Sequence, residues 1–317
     1  MLTKNYCKEE KEMGILEGHS NYMLIPTLRI IMTNECNGKC FFCHREGNIL
    51  CKTNYQRMDL ETISKKIIPA IQNIGIKKVI FTGGEPTMHE DLPEAIRMVK
   101  IACEDVQVGV TTNGYNVECL FNVKDYIDRI TISISSLNKD VYMRYTTIDP
   151  LQLVKKMQQF DSVRKSVSIV ITEENIDEIE NLITLYAKHS FDIKLQFVIS
   201  QSKNESNWER KVIKKLFDTY GRFDISIGAN PVLYRTLENN VIIKIKLASL
   251  NTWMYENIFE REACTLCDRR EECVERGCSI RIYPNGTVTP CLNQFKSYTS
   301  DDVIANLEAA YQAMQIV

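Results

Sequence analysis

The chain has 317 residues, 44% of them hydrophobic and 25% charged, with 39 Lys plus Arg against 41 Asp plus Glu and a net charge of −2. Such values belong to a globular protein and exclude a disordered tail, a collagen-like fibre and a chain basic enough to take duplex nucleic acid as its main partner. No apolar run approaches the roughly 20 residues of a membrane span, and the polar opening MLTKNYCKEEKEMG lacks a signal-peptide core, so a cytoplasmic protein without membrane contact is expected.

From residue 27 the pattern alternates. The β-branched run Thr27–Met32 predicts a strand, directly followed by cysteines at 36, 40 and 43. Leu60, Ile63, Ile67, Ile71 and Ile74 recur at helical spacing up to Gly75, with Pro69 predicting a kink or break. Lys77–Thr82 reads as the next strand, and Asp91 with Glu94 resembles a capping box for a helix through Cys103. Strands are expected near 106–112, 130–135, 166–172 and 193–199, and helices near 150–160, 174–189 and 207–220. Val241–Lys246 predicts a further strand, and alternation around Asn285-Gly286 predicts a hairpin over Ile280–Pro290.

Six strand–helix repeats imply parallel strands with helices packed outside, in an open doubly wound sheet or a partial barrel. Nearly every strand is followed at its C-terminal end by a polar motif: Cys36–Cys43, Gly83-Gly84-Glu85-Pro86, Thr111–Gly114, Ser133–Ser136, Thr172-Glu173 and Ser200-Gln201. A β/α barrel gathers all of these at one rim, whereas an open sheet gathers only those at its switch point. The expected fold is therefore α/β: a partial (β/α)6 TIM-like barrel over residues 1–235, with a small C-terminal module over 236–317.

Twelve cysteines in a chain without an export signal point to metal or redox chemistry rather than disulfides. Cys36-x3-Cys40-x2-Cys43 places three thiolates on one loop, enough to hold three irons of a [4Fe–4S] cluster and leave the fourth open. A zinc site completed by His44 is the alternative.

The cysteine triplet after the first strand, with Gly83-Gly84-Glu85-Pro86 after the second, resembles the radical S-adenosylmethionine (SAM) superfamily. The resemblance implies that Cys36, Cys40 and Cys43 hold the catalytic [4Fe–4S] cluster. It also implies SAM contacts from Phe42, Gly83, Gly84, Glu85 and Ser133, and an external electron donor such as flavodoxin or ferredoxin. Its chemistry is reductive cleavage of SAM to a radical that takes a hydrogen atom from substrate.

The stretch Cys278–Leu292 resembles the auxiliary-cluster segment of GTP 3′,8-cyclases and of the twitch and SPASM modules of peptide-modifying enzymes. On that likeness Cys264, Cys267, Cys273 and Cys291 are expected to hold a second [4Fe–4S] cluster, with Cys278 as an alternative ligand and a zinc knuckle as the competing reading. Residues 27 to about 160 resemble the cyclase further, with Arg29, Lys78 and Arg281 as candidates for contact with an anionic substrate. Ile80 and Ser279 stand where the cyclase carries arginines, and its C-terminal glycine pair is absent. The expected substrate is therefore a peptide or small metabolite. A GTP cyclase is the alternative, and a non-catalytic zinc adaptor the reading from another class. Cys103 and Cys119 are expected in the core, and Lys211, Lys214 and Lys215 on a solvated helix face.

Overall fold

The computed structural model describes residues 27–43, 46–47, 55–142, 148–197, 207–226, 232–246, 264, 267, 279–292 and 296–314. Cys273 and Cys278, His44 and the Ser200-Gln201 motif lie outside them.

Among the described residues, eleven strands form one sheet. In chain order they are β1 (Thr27–Ile31), β2 (Lys78–Thr82), β3 (Gln107–Thr112), β4 (Arg129–Ser133), β5 (Arg164–Ile171), β6 (Asp192–Phe197), β7 (Asp224–Ser226), β8 (Val232–Thr236), β9 (Ile242–Lys246), β10 (Ser279–Ile282) and β11 (Val288–Thr289). Their spatial order is β11-β10-β1-β2-β3-β4-β5-β6-β9-β8-β7. From β10 through β1–β6 to β9 every neighbouring pair is parallel; β11, β8 and β7 add antiparallel edges. The six expected strands are present, and the C-terminal region extends them at both ends: β10 pairs with β1 and β9 with β6. The hairpin β10–β11 turns at Gly286, whose φ of 81° suits a residue without a Cβ.

Strand registers divide the side chains by face. Leu28, Ile30, Val79, Phe81, Val108, Val110, Ile130, Ile132, Val167, Ile169, Ile193, Leu195, Ile243 and Ile245 are buried and belong to one core. That core also takes the apolar stripes of the helices Leu92–Ala102, Pro150–Met157, Ile179–Lys188 and Asn207–Tyr220. The opposite face carries the polar and charged partners described below. Ile31, Ile80, Val170 and Ile242 share that face with them.

One local expectation fails. Asp91 occupies the N-cap position of Leu92–Ala102 but makes no side-chain cap hydrogen bond; Glu94 instead pairs with Arg97 at 3.1 Å. At Pro69 the helical stretch is interrupted as expected, passing through the π-wound turn Ile63–Ile67 before Ile68–Ile74 resumes with Pro69 in its first turn. Lys214 and Lys215 do lie on a solvated face, pairing with Asp218 and Glu180. No helix among the described residues is long and apolar enough to cross a membrane.

Candidate active site

The β1–β2 pairing continues past the strand ends and builds the site. Met32 N donates to Thr82 O at 2.8 Å, Gly84 N to Thr33 O at 2.7 Å and Glu85 N to Glu35 O at 2.7 Å. The Gly83-Gly84 segment is thus zipped to Thr33–Glu35, the residues leading directly into Cys36. Glycine is required there: a Cβ on Gly84 would lie 2.1 Å from Glu35 O, and one on Gly83 2.5 Å from Thr33 O. Gly47, just past the cysteines, packs from the other side, where a Cβ would come within 2.3 Å of Gly83 C. Gly84→Ala is expected to force these backbones apart at a cost of about 2–3 kcal/mol. Thermal unfolding should register that loss, and a melting temperature equal to wild type would contradict it.

Glu85 is buried, and its carboxylate is enclosed by donors. Oε1 accepts from Thr87 N at 3.0 Å, Thr87 Oγ1 at 2.7 Å and Thr112 Oγ1 at 2.5 Å; Oε2 accepts from Asn113 N at 2.6 Å. Burial pushes its pKa up, and these donated bonds pull it back. The two hydroxyls in turn accept from Gly114 N at 2.8 Å and Asn116 N at 3.1 Å, so one carboxylate orders the whole Thr112–Asn116 loop. Asn113 then reaches the cysteine loop, Nδ2 donating to Asn37 Oδ1 at 2.8 Å.

Cys36, Cys40 and Cys43 lie on this anchored loop outside any disulfide. Gly38 N donates to Cys36 Sγ at 3.3 Å, and Cys43 N to Cys40 O at 3.2 Å. Burial, with repulsion between the neighbouring thiolates, pushes Cys36 and Cys40 up to about 11. Three thiols on one short loop suit a cationic cluster, which would hold them as thiolates. Among the described residues no three His, Cys, Asp or Glu side chains converge as for a single metal ion. A cluster that takes each cysteine on a separate iron does not require such convergence.

The other expected residues are not all gathered at this rim. Phe42 meets the exposed Phe41 edge-on at 5.2 Å. Ser133 is exposed at the end of β4, and its carbonyl accepts from Tyr142 Oη at 3.1 Å. Arg29 and Arg281 are register partners on β1 and β10, and both hold Glu46, a residue the sequence reading passed over. Lys78 is exposed on β2. Of the C-terminal cysteines, Cys264 and Cys267 are neighbours, with Cys267 N donating to Cys264 O at 3.3 Å; they and Cys291 are partly buried and not in disulfides. Cys103 is buried, and the partly buried Cys119 packs against the core.

The sequence profile of the radical SAM superfamily matches residues 30–186, from β1 through the helix Ile179–Lys188. The chain belongs to the radical SAM superfamily of enzymes. Its radical SAM domain therefore includes the cysteine loop, the Gly83-Gly84 segment and the loops after β3 and β4. Curated relatives include a probable GTP 3′,8-cyclase of Thermococcus kodakarensis, 38% identical over 133 residues and 41% of each chain. Another, from Sulfurisphaera tokodaii, is 28% identical over 84% of this chain and 81% of its own. The alignments to the Thermococcus and Pyrococcus abyssi relatives span 41% and 54% of those proteins. In fold the chain is similar to Streptococcus suis SuiB bound to its precursor peptide SuiA, with a TM-score of 0.63, 16% identity and coverage of 98% of this chain and 70% of that one. It is also similar to anSMEcpe with bound AdoMet, with a TM-score of 0.55, 15% identity and coverage of 92% and 83%.

Proposed function

We propose that this radical SAM enzyme acts on a small polyanion of the nucleoside-triphosphate class, as the cyclase relatives do by name. The observation supporting it is the charge on the sheet's second face. The registers put Arg281, Arg29, Lys194, Lys244 and Lys246 on that face, with Lys78, Arg129 and Arg164 at its far, N-terminal rim, where Arg129 and Arg164 pair with Asp192. Among the described strand residues, Asp192 and, at the far edge, Asp224 are the acids that share it. A chain of net charge −2 thus concentrates cations inside its barrel. Such a surface favours phosphate through charge-assisted hydrogen bonds.

The first expectation, a peptide or small metabolite, rested on Ile80 and Ser279 replacing two cations. Ile80 does share the face, next to Arg29 in register, and Ser279 lies beside Thr27. The strands β6 and β9 supply other cations that this comparison left out. The likeness to SuiB concerns the fold and carries no substrate.

When loaded, the cluster supplies the electron that cleaves SAM to methionine and the radical that attacks substrate. The chain's own residues hold the cluster loop against the Gly83-Gly84 segment and surround the substrate with fixed positive charge. A second cluster on Cys264, Cys267, Cys273 and Cys291, with Cys278 as the alternative ligand, a flavodoxin or ferredoxin donor and a cytoplasmic setting complete the proposal. The test is anaerobic turnover of the reconstituted protein with GTP, SAM and dithionite, followed by mass spectrometry. SAM-dependent conversion of GTP to a cyclised nucleotide is expected. Lys244→Met should weaken GTP binding by about tenfold or more, the worth of one charge-assisted contact. Failure of GTP to bind or react would return the substrate to the peptide class.

A further inference from the structure

The segment just past the cluster cysteines delivers Glu46 to the two arginines of β1 and β10. Arg29 donates through Nε to Oε1 at 2.5 Å and through Nη2 to Oε2 at 2.8 Å, a two-pronged grip. Arg281 donates through Nε to the same Oε1 at 2.7 Å and through Nη1 to Ser279 O at 2.9 Å. All three side chains are largely withdrawn from water: 16% of Arg29, 8% of Glu46 and 2% of Arg281 remain accessible.

We propose that Glu46 occupies the seat of a substrate anion, and that a phosphate group displaces it on binding. This inference rests on the triphosphate-class reading of the site. Two features point to it. The two guanidiniums have their spacing fixed by the sheet, because Arg29 and Arg281 are register partners, whereas the carboxylate comes from a loop. The fork that receives Glu46 is also the geometry in which arginines receive phosphate oxygens.

The seat is coupled to the SAM loop. Gly47 follows Glu46 and packs so closely on Gly83 and Gly84 that there is no room for a Cβ. Displacing Glu46 therefore shifts the residue that braces the Gly83-Gly84 segment. Entry of the substrate anion is communicated to the loop paired with the cysteine strand, and SAM cleavage is tied to an occupied site.

The experiment is calorimetric titration of inorganic tripolyphosphate, and separately GTP, into the reconstituted full chain. Removing the competing carboxylate with Glu46→Gln is expected to tighten tripolyphosphate binding by about tenfold. Arg281→Gln in that background should cancel the gain, and Glu61→Gln, which removes an exposed charge elsewhere, should give none. Glu46→Asp keeps the charge but withdraws it by one methylene, so a several-fold gain is expected there, which also covers a Gln variant that fails to fold. Unchanged or weaker binding in the folded variants would make Glu46 a permanent clamp and overturn the proposal. If wild type and variants bind neither tripolyphosphate nor GTP, the triphosphate reading falls as well.

Discussion

Cys40→Ala is expected to abolish 5′-deoxyadenosine formation from SAM under dithionite, to below the detection limit of chromatography. The loop should survive the change. Its shape is fixed by main-chain contacts, Gly84 N to Thr33 O and Glu85 N to Glu35 O, and by Asn113 Nδ2 on Asn37, none of which uses a thiol. What disappears is one of three thiolates on the loop, and a [4Fe–4S] cluster left with two protein ligands is not retained. Iron content separates this site from the proposed C-terminal one. With both clusters present the reconstituted protein should hold about eight irons, and a Cys36, Cys40 and Cys43 triple alanine variant about four. Undiminished SAM cleavage in Cys40→Ala would show that the electron comes from elsewhere in the chain.

The legible parts of the fold were those in which period and chemistry coincide. The β-branched runs at 27–32, 77–82 and 130–135 gave strands because one face of each is apolar and lies beneath helices. The Asn285-Gly286 turn gave the hairpin because only a residue without a Cβ relaxes at that φ. The cysteine spacing and the Gly83-Gly84 pair gave the site because both requirements are local. Long-range pairing left no local signal. That β10 joins β1 and β9 joins β6 depends on contacts far apart in sequence. The cationic face followed the same rule. Lys244 and Lys246 do alternate with Ile243 and Ile245, but which face is enclosed becomes visible only when the neighbouring registers are known. Glu46 carries no role legible in the sequence, since its partners lie 17 and 235 residues away. The only available hint was an acid beside the glycine that must pack on Gly83.

Glu85 shows where a motif suggests one role and the geometry supports another. The superfamily resemblance assigns it a SAM contact, so Glu85→Ala would weaken SAM binding and leave the protein otherwise intact. The structure instead surrounds its carboxylate with four donors, three of them from Thr87 and Thr112, which are themselves buried. Each buried donor left without an acceptor costs about 1–3 kcal/mol, and the hydroxyls can recover part of this by rotating toward other acceptors. A net loss of about 3–5 kcal/mol is therefore expected, a large share of the 5–15 kcal/mol typical of a native domain. Glu85→Gln should lose less, because one amide oxygen can still receive the Thr87 and Thr112 donors. It should still destabilise, because its amide nitrogen would face the Asn113 N–H, donor against donor. The decisive measurement is chemical unfolding of cluster-free protein without SAM, where a cofactor contact cannot contribute. Wild type, Glu85→Gln and Glu85→Ala should rank in that order of stability, with the loop after β3 losing amide-exchange protection first. Equal stability of all three, with SAM affinity reduced in the loaded enzyme, would return Glu85 to the role its motif suggests and remove it from the scaffold.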